Sequence, residues 1–540
     1  MTGKERVVSA IQNKVVDQVP WVPFVGVHGG FLIDKPADEY LKSRDLLIEG
    51  IQAAIKEYQP DGIPVCFDLQ IEAEALGCKL AWSPDNPPAV VDHPLTGGLS
   101  PEILPEFDKK TGRIPMVLEA SRAIRKNNPD IALYGLVTGP FTLALHLIGT
   151  DIFMKMFEDP EYTISLLDYT SQITKKMSDW YLEAGCDVIA VVDPMTSQIG
   201  PDQFEQFIHN PISYVFKSIR NKGGLSSFFV CGHAQQNIEV MCKTDPDNVS
   251  IDENIPLDYV RDISKKYDIS FGGNLQLTLV LLMGSPEDCQ KHALECMDMA
   301  GEKGFLLAPG CDLPMKTPVE NIKAISELVS DSYQRDVVRT LDKKVEEMPM
   351  LNLDEYGHTE KVIIDIITLD SESCAPCQYM VEAVKTIAPH FEELVEWREH
   401  SIKSLDGVTF MSSLFVKNIP TICIDGKISF VSQIPPKQEL IRAIQKRLNE
   451  KMRLRIREKH GKIVLAGSAE EIKEIEEKAK LAIMELGAQI EIETISSMEA
   501  ATLFGVSQTP AWINVQNRIK SEGNKDIGIE VMKEWIKSLL

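Results

Sequence analysis

The stretch AGCDVIAVVDP, residues 184–194, decides how the N-terminal part of the chain is read. Its central run, Val188 to Val192, is apolar and mostly β-branched, with Gly185 and Asp187 before it and Asp193 and Pro194 after it. An unbroken apolar run of this length between turn formers is the pattern of a strand buried on both faces, as a parallel sheet requires. Similar runs occur at Val22 to Val27, Ile63 to Phe67, Ile131 to Val137, Ser226 to Cys231, Asn248 to Ile251, Asp268 to Phe271 and Gly304 to Leu307. Stretches of helical period separate them. Eight such strands within residues 1–340 predict an α/β fold, a (β/α)8 TIM barrel rather than an open sheet. Between Gly77 and His93 the period is broken by Ser83, Pro84, Asp85, Asn86, Pro87 and Pro88, which reads as a hairpin insertion after the second strand.

Past Leu341 the sequence KKVEEMPMLNLDEYGH loses periodicity and reads as a linker over 341–360. A second domain is predicted over 361–450. It opens with a strand-like run from Lys361 to Leu369, followed by SESCAPCQYM and a helical segment through Ile387. Pro420 then precedes a strand at Ile422 to Ile424, with another at Lys427 to Val431 and a closing helix. Strand, CxxC at a helix start, then X-Pro before a strand is the thioredoxin order. Residues 460–540 repeat it in degenerate form: Gly467, Ser468 and Ala469 stand where the CxxC would be, and Pro510 follows Thr509. Pro420 and Pro510 are the cis-proline candidates. Two thioredoxin-like α/β domains are therefore expected after the barrel.

Composition limits the partners. The 540 residues carry a formal charge of −24, which repels phosphate backbones and anionic lipid, so neither nucleic acid nor membrane is expected. No uninterrupted apolar run is long enough to span a bilayer, and the segment from Met1 to Val7 leads into polar residues rather than a signal-peptide core. The expected location is cytoplasmic. Eleven cysteines, an odd number spread over an unsignalled chain, argue against a structural disulfide framework.

Three sets of residues are candidates for chemistry. VCGHA at 230–234 and APGCDLP at 308–314 place Cys231, His233 and Cys311 at strand ends that a barrel would bring to one face. Two thiolates and an imidazole suit a catalytic Zn2+ with an open fourth position. Packing cysteines and a loop histidine are the plainer alternative. Asp68 and Glu72, after the second strand, and Asp193, at the end of another, are candidate catalytic carboxylates, with helix capping as the alternative for Glu72. Cys374 and Cys377 open a helix, where the dipole favours the first as thiolate, so dithiol redox chemistry is expected there. A zinc knuckle is the other reading.

Together with these motifs, CFDLQIEAEALGCKL at 66–80, LYGLVTGPFTLA at 133–144, AGCDVIAVVDP and FGGNLQ at 271–276 resemble the uroporphyrinogen-decarboxylase-like superfamily, and within it the methylcobamide:coenzyme M methyltransferases. The resemblance covers roughly residues 1–330. It implies methyl transfer between a methylated corrinoid and a small thiol of the coenzyme M kind. It also implies zinc held by a His-x-Cys motif and a distant Cys, at positions that here hold Phe229, Cys231 and Cys311. Phenylalanine cannot ligate, which leaves the third ligand to His233, to a carboxylate such as Asp68 or Glu72, or the zinc absent. The chain has no Asp-x-His-x-x-Gly corrinoid-ligating pattern, so the resemblance implies that the corrinoid arrives on a partner protein. A thioredoxin-type reductant is a further expected partner. Uroporphyrinogen decarboxylation is the disfavoured alternative: its substrate carries eight carboxylates, and only Arg44 lies between Arg6 and Arg113. A barrel that has lost catalysis and serves as a redox or binding module is the other.

Overall fold

The computed structural model describes residues 1–301, 303–340, 356, 361–372, 374–459, 462–496, 505–514, 519–523 and 527–538. The expected linker over 341–360 lies outside them except for Tyr356. The described residues fall into two compact units, one within Met1–His358 and Ile363–Lys437, the other within Thr359–Val362 and Gln438–Leu540.

The first unit is built on seven parallel strands: β1 (Gly62–Pro64), β4 (Ala132–Thr138), β5 (Val188–Val192), β6 (Leu225–Val230), β7 (Asn248–Ile251), β8 (Ser270–Leu275) and β9 (Phe305–Pro309). They pair in that order. Between β1 and β4 a two-stranded hairpin, β2 (Leu80–Ala81) and β3 (Ala89–Val90), forms the insertion signalled by the Ser-Pro-Asp-Asn-Pro-Pro run. Burial follows the pleat. Ala132, Tyr134 and Leu136, with Val188, Ala190 and Val192, join an inner cluster, while their neighbours Leu133, Val137, Ile189 and Val191 pack in an outer one under the helices. This is the packed interior of a TIM-barrel-like fold.

The expected strand Val22–Val27 does not form. The ring is completed there by one bridge, Trp21 to Leu307, with Val22 N donating to Leu307 O at 2.9 Å and Leu307 N to Pro20 O at 3.0 Å. Asp61 N donates to Trp21 O on the other side at 2.9 Å. Pro20 and Pro23 have no N–H to give, which limits the eighth stave to this single pairing. The strand expected from Asp268 begins at Ser270 instead, because Asp268 takes a left-handed conformation, φ 55°, ending the preceding helix.

The same unit contains a four-stranded sheet ordered β11 (Val395–Ser401), β10 (Val362–Thr368), β12 (Thr421–Ile424), β13 (Lys427–Val431), in which β12 runs antiparallel to both neighbours. The helix Ala375–Ile387 connects β10 to β11, and Leu405–Ser413 connects β11 to β12. In the second unit β15 (Glu491–Ile495), β14 (Lys462–Ala466), β16 (Ala511–Asn514) and β17 (Ile519–Glu522) form a sheet of the same order, over a core of Ile463, Leu465, Trp512 and Ile536. No described helix is long and apolar enough to cross a membrane.

Candidate active site

The C-terminal ends of the strands open into one cavity with about 1140 Å³ of free space, part of it shared with solvent. Cys231 and Gly232 enter it directly after β6, Asp252 and Glu253 after β7, and Cys311 and Asp312 after β9. Cys231 donates its S–H to Cys311 Sγ at 3.3 Å, so two half-buried thiols 80 residues apart in sequence meet at the barrel mouth. The hydrogen bond from Cys231, together with burial and the nearby Cys311, Asp252 and Glu253, holds the Cys231 thiol well above its ordinary range.

The acidic lining was not singled out from the sequence. Glu253 is pushed up to about 8 by burial and then by the neighbouring Asp252 charge; its Oε2 is buried without a partner. Asp252 is raised to about 6 by burial, against the hydrogen bond it accepts from Gly232 N at 2.6 Å. Asp312 rises to about 8 by burial although Gly26 N donates to it at 2.7 Å. At neutral pH the cavity thus carries less negative charge than its three carboxyls suggest.

The candidate catalytic carboxylates Asp68, Glu72 and Asp193 are buried and are not among the residues lining the cavity. Asp68 accepts from Arg113 Nη1 at 2.5 Å, while Arg113 Nε donates to Glu74 at 2.7 Å. Glu72 accepts from Thr138 N at 3.1 Å and Thr138 Oγ1 at 2.8 Å, and burial pushes it to about 7. Asp193 accepts from Phe141 N at 3.1 Å, Thr142 N at 2.8 Å and Thr142 Oγ1 at 2.6 Å, fastening the first turn of the helix Pro140–Ile148. The oxygens of all three are thus engaged in hydrogen bonds within the barrel.

The expected zinc ligands do not assemble as a set. Catalytic zinc ordinarily has three protein ligands, and among the described residues no three His, Cys, Asp or Glu side chains are grouped to hold a metal. Cys231 and Cys311 come together without His233, whose Nδ1 is buried without a partner. Gly232, at φ 89° and tied to Asp252, turns the loop between Cys231 and His233 and removes the simple two-residue repeat that would aim both side chains at one point. Phe229 is fully buried in the barrel interior, with ring centroids 5.1 Å from Phe24 and 6.0 Å from Phe67. An aromatic packing contact has taken the position where the resemblance expects histidine.

Across the mouth lies the edge of the four-stranded sheet domain. Cys374, Cys377, Lys403, Ile419 and Pro420 line the same cavity. Cys374 caps the helix Ala375–Ile387 and is disulfide-bonded to Cys377, with Cα atoms 5.2 Å apart. The Ile419–Pro420 bond is cis, as is Thr509–Pro510 in the second unit. The hairpin insertion receives this edge: Gln378 Nε2 donates to Val90 O at 2.6 Å, Asn86 Nδ2 to Glu372 at 3.2 Å, and Lys403 Nζ to Asn86 Oδ1 at 2.8 Å. Tyr379 is buried in the barrel's outer core. Cys423 is fully buried on β12, and burial pushes it up to about 12, the state of an inert core thiol.

These features define a barrel of the TIM type with a thiol pair at the C-terminal ends of its strands. The family model of uroporphyrinogen decarboxylase (URO-D) matches residues 2–332, and the chain belongs to that family. It is 26% identical over 338 residues to the methylcobamide:CoM methyltransferase MtbA of Methanosarcina acetivorans, covering 60% of this chain and 97% of that protein. It is 28% identical over 345 residues to MtaA of Methanosarcina barkeri, covering 62% and 98%. A solved methyltransferase from Methanosarcina mazei shares the fold with a TM-score of 0.57 at 24% identity, covering 63% of this chain and all of that one.

Proposed function

We propose that the barrel catalyses methyl transfer between a methylated corrinoid carried by a partner protein and a small thiol of the coenzyme M kind. One observation carries the reading: the relatives named as methylcobamide:CoM methyltransferases match over nearly their whole length, and in this chain two strand ends bring Cys231 and Cys311 to 3.3 Å at the mouth. A methylated corrinoid at the mouth supplies an electrophilic methyl group. The work left to this chain is to admit the thiol, hold its sulfur on the methyl axis, take its proton and keep water out. Glu253 is buried beside the thiol pair, and its ionised form, the minor one at neutral pH because burial raises it to about 8, is the group placed to accept that proton. The apolar part of the lining, Val27, Phe67, Leu69 and Leu277, excludes water.

Zinc would lower the acceptor thiol's pKa, but among the described residues two thiols meet without a third ligand grouped beside them, so no step is assigned to it. The domain containing β10 to β13 is read as a thioredoxin-like dithiol module. Its strand order and its CxxC at a helix start support this. The described cavity lining contains no arginine, which disfavours a substrate with eight carboxylates. The test is to incubate the full chain with methylcobalamin and 2-mercaptoethanesulfonate, and separately with uroporphyrinogen. Accumulation of the methyl thioether by mass spectrometry supports the reading. Decarboxylated porphyrinogen without thioether overturns it.

A further inference from the structure

Cys231 and Cys311 are the two free cysteines that keep solvent exposure; the other seven are buried in the cores. Both line the cavity into which Cys374 and Cys377 also face. The two sulfur pairs therefore share one solvent-connected space inside one compact unit. That space is held by specific contacts: the hairpin bonds to Gln378, Glu372 and Lys403, and Gln198 Nε2 donates to Ser432 O at 2.9 Å while Ile434 N donates back to Gln198 Oε1 at 3.0 Å.

We infer that the cysteine pair at the barrel mouth is the intramolecular redox partner of the CxxC pair, so that one disulfide is exchanged between Cys374–Cys377 and Cys231–Cys311. The inference rests on reading Cys374 and Cys377 as a working dithiol. The geometry orders the steps. Cys374 is half-buried at the helix start whereas Cys377 is fully buried, so attack falls on Cys374 Sγ. A thiolate from Cys311 or Cys231 forms a mixed disulfide with Cys374, and the Cys374–Cys377 bond breaks to release the Cys377 thiolate. The second mouth cysteine, with its partner sulfur 3.3 Å away, then attacks the mouth sulfur of the mixed disulfide and expels the Cys374 thiolate. Two electrons pass from the mouth pair to the CxxC pair, and the two protons lost by the mouth thiols are taken up by the released thiolates. Each step is an ordinary thiolate displacement at a disulfide and needs no external oxidant. Run in reverse, the reduced CxxC pair restores both mouth thiols.

The test uses the full chain in chelator-containing buffer, with acid quench, alkylation and peptide mass spectrometry. Cys377→Ser removes the resolving thiol, so after one equivalent of diamide per chain a cross-link from Cys374 to Cys311 or Cys231 should accumulate at least tenfold above its level in wild type treated alike. In wild type, stepwise reduction to one disulfide per chain should give two populations, Cys374–Cys377 and Cys231–Cys311, whose ratio shifts with the dithiol poise. If Cys374–Cys377 cannot be reduced and re-formed in the native chain, the dithiol reading fails and the inference with it. If it cycles normally while Cys231 and Cys311 stay fully alkylated and no cross-link forms, the exchange alone is refuted.

Discussion

Gly310 offers a way to move the mouth thiols without touching a sulfur. It lies between β9 and Cys311, and its N–H donates to Leu275 O at 3.0 Å, anchoring the loop to the end of β8. A Cβ at this position would stand 2.4 Å from Glu253 Oε2, 2.9 Å from Asp252 Cα and 3.0 Å from Asp252 Cβ. The Glu253 side chain can swing aside. The Asp252 backbone cannot, so Gly310→Ala must push the Cys311 loop away from the end of β7 by about 0.5 Å or more. Overpacking of this size costs about 1–3 kcal/mol, while misplacement of reacting groups by about 1 Å costs about 100-fold in rate. The expected result is a chain that still melts cooperatively, within a few degrees of wild type, with initial methyl-transfer rates about 10- to 100-fold lower. Gly528→Ala, where a Cβ meets nothing, should leave both unchanged. A Gly310→Ala variant with wild-type rates would refute the claim that this loop sets the geometry of the reaction.

Other perturbations probe the buried ionisable groups. Burial raises Glu72 from 4.5 to about 7, so the native carboxyl keeps its proton where the unfolded chain has lost it, and stability falls as pH rises from about 4.5 through 7; Glu72→Gln should lack this loss, gaining up to about 3 kcal/mol relative to wild type between pH 5 and 8 in urea titrations. Arg113→Met strands the buried Asp68 carboxylate and should destabilise the first unit by about 3–5 kcal/mol in the same titrations. Asp193→Asn removes one of the acceptors at the helix Pro140–Ile148 and should cost about 1–2 kcal/mol with KM for the thiol unchanged; a 100-fold fall in kcat with an intact melt would instead place Asp193 in the chemistry. Glu253→Gln should lower the methyl-transfer rate about 10- to 100-fold and, since burial also raises Glu253 from 4.5 to about 8, should raise rather than lower the melting temperature at neutral pH; an unchanged rate would remove Glu253 as the proton acceptor.

Much of the barrel was legible because its signal is local. Val188 to Val192 became a strand with those bounds, since a fully buried parallel strand needs only an apolar run between turn formers. The first stave was misread because Val22 to Val27 has the same apolar look, while Pro20 and Pro23 remove the donors a ladder needs. Cys231 and Cys311 could be found by their strand-end positions. Asp252 and Glu253 follow Ile251 in the same way, and the rule applied to the cysteines would have reached them too. Asp68, Glu72 and Asp193 show the limit of that rule: a strand end places a residue near the mouth, but whether its oxygens face substrate or fasten a neighbouring helix depends on contacts 40 to 70 residues away in sequence. The fate of Phe229, packed between Phe24 and Phe67, and the seating of the CxxC edge on the hairpin are likewise tertiary facts with no signature in any single stretch.

The proposed activity is methyl transfer to a thiol held at the barrel mouth beside Cys231 and Cys311. The most direct test is the rate at which methylcobalamin is demethylated in the presence of 2-mercaptoethanesulfonate, followed by the change in corrin absorption, for the reduced full chain beside Cys231→Ser and Cys311→Ser. Thiol-dependent turnover is expected of the wild type, with a fall of at least 100-fold in either variant and the melting temperature held within a few degrees. Turnover that survives both substitutions, or a wild type inactive with reduced mouth cysteines, would contradict that expectation.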